Sequence, residues 1–242
     1  MPRRYRLPLL CLSLAILLPG MRAEVVLKED WEKYPAGASP DDPWILAVGQ
    51  YRDGSIEAST IEPSTLSSGA VSLRLAGTAE NGGPSLATSF APQSGEVTIE
   101  FDYFFSQLEG IGLLPSLIVQ DTNGQRGLVL NLVSAIPSDA GKLEIVNETD
   151  KSGMGTVIGD AVLNEWARVK ITLKPSASGG GYEKYDIEIQ PAGKALLHAS
   201  QLPLWEKLID VAKLEFGWAS PNSAGVFYID NILVSSAPEK TR

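Results

Sequence analysis

Between residues 97 and 105 every second side chain is apolar. Val97, Ile99, Phe101, Tyr103 and Phe105 fall on one side of an extended chain, and Thr98, Glu100, Asp102 and Phe104 on the other. This is the two-residue period of a strand with one buried face. The alternation returns in residues 70–75, in Val169, Ile171 and Leu173 against Arg168, Lys170 and Thr172, in Tyr185, Ile187 and Ile189 against Asp186 and Glu188, and in Leu214, Phe216 and Trp218. Residues 117–119 and 128–133 are denser and read as central strands, with Asn123-Gly124 between them as a hairpin turn. No helical stripe interrupts the series. Residues 202–208, with Pro203 in a first turn, are the one stretch expected to hold a short helix. A dozen short strands between Gly, Pro, Asn, Asp and Ser clusters predict an all-β fold, a two-sheet antiparallel sandwich with at most one short helix.

The first 23 residues read differently. Arg3, Arg4 and Arg6 precede an apolar run over residues 7–18, Pro19-Gly20 breaks it, and Ala23 offers a small residue for cleavage. A dozen apolar residues fall short of the ~20 that span a bilayer, so the segment is expected to be a secretory signal peptide rather than an anchor. Cys11, the only cysteine, lies inside it and follows Leu10, where a lipoprotein signal would need a small residue. The mature chain is therefore expected to form no disulfide, which about 200 residues do not need for a stable core. Cysteine-free export leans toward a bacterial source and a secreted or periplasmic location. Without residues 1–23, 16 basic side chains face 29 acidic ones, a net charge of −13 against −9 for the whole chain. That balance argues against nucleic acid and membrane insertion. The expected organisation is a signal peptide at 1–23, one domain at 24–236 and a short tail at 237–242.

Three segments in order carry a resemblance. They are Glu29-Asp30-Trp31-Glu32 with Tyr34-Pro35-Ala36-Gly37 near the start, Asn164-Glu165-Trp166-Ala167-Arg168-Val169 in the middle, and Gly225-Val226-Phe227-Tyr228-Ile229-Asp230-Asn231-Ile232 near the end. The chain resembles concanavalin-A-like and laminin-G-like jelly rolls, and the jelly-roll carbohydrate-binding modules in particular. The resemblance implies a sandwich that joins its first and last strands, a concave face for a polysaccharide or oligosaccharide, and a structural calcium. Carried over, the calcium ligands are Glu32 and Asp230. An acid in an apolar strand is costly to bury without a partner or a cation. The alternative reading has Asp230 bonded to amides or to Lys28 or Lys33, with Glu32 in solvent.

Trp44, Tyr51 and Trp166 are the aromatics expected to lie exposed beside such a groove, with Arg168 as a polar contact. Trp218 is expected in the core. Glu100 and Asp102 share a face one step apart, as paired carboxylates do in glycan hydrolases. The second glutamate that would complete that motif is missing, since Tyr103, Phe104 and Phe105 follow. The competing expectation pairs both acids with Arg168 or Lys170 across the sheet. His198 has no partner histidine, Gly179-Gly180-Gly181 lacks the Lys-Ser/Thr of a phosphate loop, and Asn147-Glu148-Thr149 is a sequon that matters only in a eukaryote. Three classes follow: a non-catalytic glycan-binding domain, a glycan hydrolase or lyase built on Glu100 and Asp102, and an adhesion module that binds no sugar. The signal reading is checked directly: exported protein should begin at Glu24 or Met21 on N-terminal sequencing, and a start at Met1 would overturn it.

Overall fold

The computed structural model describes residues 23–47, 54–67, 69–77, 83–110, 116–135, 143–149, 155–177, 179–217 and 223–237. Residues 1–22, Tyr51 and Trp218 lie outside them. Fifteen strands follow in chain order: β1 (Glu24–Glu29), β2 (Trp44–Ala47), β3 (Gly54–Ser59), β4 (Ser72–Gly77), β5 (Ser85–Gln93), β6 (Val97–Gly110), β7 (Ser116–Gln120) and β8 (Arg126–Ala135). The rest are β9 (Leu143–Asn147), β10 (Thr156–Asp160), β11 (Ala167–Leu173), β12 (Tyr182–Pro191), β13 (Leu197–Leu208), β14 (Val211–Gly217) and β15 (Ser223–Ser236). They form two antiparallel sheets, sheet A in the order β13-β12-β11-β6-β15-β4-β3 with β1 beside β15, and sheet B in the order β10-β9-β8-β7-β14-β5-β2. This is the all-β jelly-roll sandwich that the strand pattern predicts.

The periodicities place the core. Val97, Ile99, Phe101, Tyr103 and Phe105 of β6 are buried, as are Val169, Ile171 and Leu173 of β11. Opposite them, sheet B contributes Leu117, Val119, Leu128, Leu130, Leu214 and Phe216. Phe101 and Phe216 meet edge-on across the two sheets at 5.2 Å between centroids, an arrangement favoured by the ring quadrupoles. The Asn123-Gly124 hairpin forms as read: Gly124 takes φ 78° and its N–H donates to the Asp121 carbonyl at 3.0 Å. Asp121 Oδ1 fixes the turn further by accepting from the N–H groups of Asn123 and Gln125. At the β12 end, Gly181 (φ 104°) lies so close to β13 that a Cβ would sit 1.9 Å from the Leu208 carbonyl oxygen. Only glycine fits there.

One expectation is corrected. Residues 202–208 are not a helix but the end of β13, with Leu202, Leu204 and Leu208 buried and Pro203 and Lys207 outward. The signal is a two-residue period in the leucines. Pro203 is tolerated because β13 is an edge strand, where a missing N–H leaves no ladder bond unmade. No helix occurs among the described residues.

The long strand β15 organises sheet A. Along one side it pairs with β6. Along the other, Gly225–Ile229 pair with β4 and Ile232–Ser236 pair with β1. First and last strands therefore meet, and Asp230 and Asn231 lie where the neighbour changes.

Candidate functional site

That change of neighbour builds a buried polar cluster on the outer face of sheet A. The register sets Arg168, Asp102 and Asp230 in one row across β11, β6 and β15. Asp102 has no solvent exposure. It accepts a fork from Arg168, Nε to Oδ1 at 2.8 Å and Nη2 to Oδ2 at 3.0 Å, and Oδ2 also accepts from Ser64 Oγ at 2.9 Å and Asn231 Nδ2 at 2.8 Å. Arg168 Nη2 donates in addition to the Leu66 carbonyl. The guanidinium is held above its ordinary pKa chiefly by the bond to Asp102. With both oxygens taken, Asp102 clamps the segment around Ser64 and Leu66 onto the sheet and is not placed to trade protons with a substrate. Glu100 stands opposite Lys170 and lines a cavity of about 220 Å3 with Lys28, Glu29, Arg168 and Asn231. Cross-strand pairing thus accounts for the two acids better than a catalytic dyad does.

Asp230 is 1 % exposed. Its Oδ1 accepts from the Asn231 N–H at 2.7 Å and its Oδ2 has no partner. Burial pushes its pKa up to about 7, with the charges of Asp102, Glu32 and Asp30 adding to the effect and the Asn231 amide opposing it. Asn231 takes φ 51° at the bulge, a conformation asparagine tolerates. Glu32 is exposed, as the alternative reading has it, yet it is also bonded. Its Oε1 accepts from the N–H groups of Ala70 and Val71 at 2.7 and 2.8 Å, which ties the exit of β1 to the entrance of β4 across the break beside Asp230. Among the described residues no group of three or more His, Cys, Asp or Glu side chains is placed to hold a metal ion.

The expected exposed aromatics are corrected. Trp44 is 4 % exposed and packs on Trp31 at 5.1 Å. Its Nε1 donates to Glu29, which also accepts from the Trp31 N–H and from Lys33 Nζ. Trp166 is 2 % exposed against Phe104 at 5.7 Å. Neither offers a ring face to a sugar, because each is covered by partners distant in sequence or by a neighbouring ring that no local pattern reveals. His198 is exposed on β13. Asn147 of the sequon is buried and its Nδ2 donates to the Pro203 carbonyl, so it is not available for modification.

Sequence reasoning missed the outer face of sheet B. The register sends Ser116, Ile118 and Gln120 of β7, Val129 and Asn131 of β8, Val146 and Glu144 of β9, Lys213 and Glu215 of β14, and Ser85 and Ala87 of β5 away from the core. An outward face is ordinarily open to water. Here Ser116, Ile118, Gln120, Val129, Asn131, Glu144, Val146, Ser85 and Ala87 are all buried. Gln120 Nε2 donates to Glu215 Oε2 at 3.1 Å, and Lys213 Nζ stands 4.0 Å from the same oxygen. Asn131, with no exposure, donates through Nδ2 to Glu148 Oε1 at 2.7 Å, while its Oδ1 accepts nothing. A buried acceptor left empty is costly. By contrast, a second cavity on sheet A, about 260 Å3 beside Lys174 and Tyr185, is rimmed by charges that satisfy one another: Lys174 with Asp186, Asp186 with the Gln201 N–H, and Lys207 with Glu183.

No family model and no curated protein matches the chain. Solved structures do. A carbohydrate esterase from a Shiga toxin-encoding bacteriophage superposes with a TM-score of 0.59 at 11% identity, covering 90% of this chain and 100% of its own. A PL-14 alginate lyase from Aplysia kurodai gives 0.54 at 14%, covering 89% and 100%. Domain 4 of an extracellular GH43 arabinanase from Geobacillus stearothermophilus, solved with arabinotriose, gives 0.50 at 11%, covering 89% and 93%. At these identities the likeness is one of fold: carbohydrate-active proteins, lyase and non-lyase, share this jelly roll. The clamp role of Arg168 has a direct check. Arg168→Met leaves Asp102 buried without its cation and should cost about 2–3 kcal/mol of unfolding free energy in a denaturant melt; an unchanged melt would mean that the pair contributes nothing to stability.

Proposed function

We propose that this chain is an exported, non-catalytic carbohydrate-binding domain that receives a polysaccharide or oligosaccharide on the outer face of sheet B. The observation that carries the reading is the Asn131 carbonyl oxygen. It is buried and unpartnered, on a side chain that the register directs away from the core, so a sugar hydroxyl that displaced its cover would satisfy it. Ile118, Val129 and Val146 beside it offer an apolar strip for the C–H face of a pyranose, and Gln120, Glu148 and Glu215 offer polar atoms around it. A fold that accommodates arabinotriose in the arabinanase domain raises the prior for sugar binding by analogy alone. Against catalysis stand the fully engaged Asp102 and, among the described residues of this face, the absence of any Tyr or His to move a proton. Export rests on residues 1–23, and among the described residues no helix is long and apolar enough to cross a membrane.

A glycan array probed with the mature protein tests this reading. Binding to at least one polysaccharide is expected, without release of reducing ends. Asn131→Ala should weaken it about threefold to tenfold, the worth of one hydrogen bond, in a variant that still folds but melts lower for want of the bond to Glu148. Silence across the array, or equal affinity in the variant, would overturn the assignment.

We also propose that Asp230 and Glu32 hold a structural calcium. The unpartnered Asp230 oxygen, buried among other acids, supports it, because such a carboxylate calls for a cation or a proton. Glu32 keeps one oxygen free of the Ala70 and Val71 amides, and backbone carbonyls would complete the oxygen shell that calcium takes. At a hundredfold excess over its dissociation constant the ion would add about 2.7 kcal/mol. Chelator should therefore lower the melting temperature of the wild type and leave Asp230→Ala unaffected. A chelator-insensitive melt with no metal by elemental analysis would remove calcium from the account.

A further inference from the structure

The seam in sheet A leaves a hollow as well as a join. Asp230 pairs with Asp102 and Leu233 with Glu100, so Asn231 and Ile232 together stand against Phe101 alone. A bulge of this kind bends its strand and interrupts the ladder. Beside it the outer face carries a cavity of about 220 Å3, lined by Lys28 of β1, Asn231 and Leu233 of β15, Glu100 of β6 and Arg168 of β11. That volume falls below the roughly 300–1,000 Å3 of a drug-sized pocket and suits a single small ring. Unlike the outer face of sheet B, this rim is open to water. The Lys28 side chain is 69 % exposed and that of Arg168 42 %, and Glu100, Asn231 and Leu233 are half-buried.

The rim combines donors with acceptors. Arg168 commits Nε and Nη2 to Asp102 and the Leu66 carbonyl. Those bonds fix the guanidinium, and among the described residues Nη1 is left over. Lys28 meets Asp30 at 3.5 Å with both side chains exposed, a contact worth little in water. Asn231 donates through Nδ2 to Asp102 and retains its Oδ1 as an acceptor. Glu100 stands across from Lys170, yet no hydrogen bond or ion pair among the described residues takes up its carboxylate. Glu29 differs: Trp31, Trp44 and Lys33 already bond to it. Two donors and two acceptors thus surround Leu233. An anion would suit the cations but meet Glu100, and a cation would suit Glu100 but meet Lys28 and Arg168. A hydroxyl donates and accepts at once, and its bonds to charged groups are the stronger kind. Lys28 and Glu100 are two strand spacings apart, about 10 Å between backbones, so their side chains reach a ring lying on Leu233 from both sides. We propose that this cavity binds one neutral sugar residue through adjacent hydroxyls, as a second carbohydrate site on the sheet opposite the one assigned above.

The test follows backbone amide shifts by NMR in the isotope-labelled mature protein. The probes are arabinotriose, cellotriose and mannotriose, with sodium acetate and ammonium chloride as charged controls. At least one saccharide, at millimolar concentration, should shift the amides of Lys28, Glu100, Asn231 and Leu233, and neither salt should. Glu100→Ala should weaken that response about tenfold, the loss of a hydrogen bond to a charged group, and Lys28→Ala about threefold. Neither side chain bonds into the sheet, so both variants should melt close to the wild type. If a variant fails to fold, the contrast between saccharides and salts in the wild type still decides. No saccharide shift at these amides, an equal shift from acetate or ammonium, or an undiminished response in Glu100→Ala would overturn the inference. Amides of β7, β8 and β9 report on sheet B in the same spectra, so each site stands or falls by itself.

Discussion

Sheet A depends on β15 finding its neighbours on both sides. Its partners β6 and β4 are more than 100 residues away in sequence, and β1 lies about 200 residues away. None of these contacts can form until most of the chain is ordered, so the closing strand bears loop-closure entropy that local hairpins do not. The strand is suited to it. Phe227, Ile229, Ile232 and Val234 are wholly buried, and Phe227 stacks on Phe105 of β6 at 5.4 Å. The two short partners, β4 and β1, are set end to end along one side of β15, and the seam between them falls at Asp230.

A seam in a central strand exposes polar backbone where water is excluded, and the surrounding residues answer it. Glu32 spans the seam by accepting two amides at the start of β4. Asn231 turns at the bulge and reaches Asp102. Arg168 crosses from β11 to neutralise Asp102 and continues to the Leu66 carbonyl. The result is a network in which one oxygen of the buried Asp230 has no partner. A conspicuous set of acids and an arginine on sheet A is thus chiefly the means by which the first and last strands are joined.

Sheet B solves a different problem. Its strands carry apolar residues on the core side and a mixture of Ser, Gly, Ala, Val, Ile and amide side chains on the other. Small residues at Ser85, Ser116, Ala87 and Gly217 keep the middle of that face low, while Gln120–Glu215 and Asn131–Glu148 bonds hold polar side chains in fixed positions beside it. Such pre-ordered groups lose little entropy on meeting a ligand. The two sheets therefore differ: the polar residues of sheet A close the fold, and those on the outer face of sheet B are paired with one another and nearly buried.

The sequence by itself determined the strands that alternate strictly, their inward faces, the Asn123-Gly124 hairpin and the all-β sandwich. These are legible because a two-residue period and a turn residue are local properties of the chain. The neighbourhood of β11 and β6 followed too, since Glu100 and Asp102 are expected to face Arg168 or Lys170, but which acid meets which cation came only from the register. It did not reveal that Trp44 and Trp166 are covered, because burial depends on Trp31, Glu29 and Phe104, whose proximity only folding creates. It did not reveal β13, because Pro203 and a run of leucines fit a first helical turn as well as an edge strand. The outer face of sheet B was hidden for the same reason. Gln120, Asn131, Glu148 and Glu215 come from four separate segments, each unremarkable alone, and only the pairing of β7 with β8 and β14, and of β8 with β9, makes them neighbours.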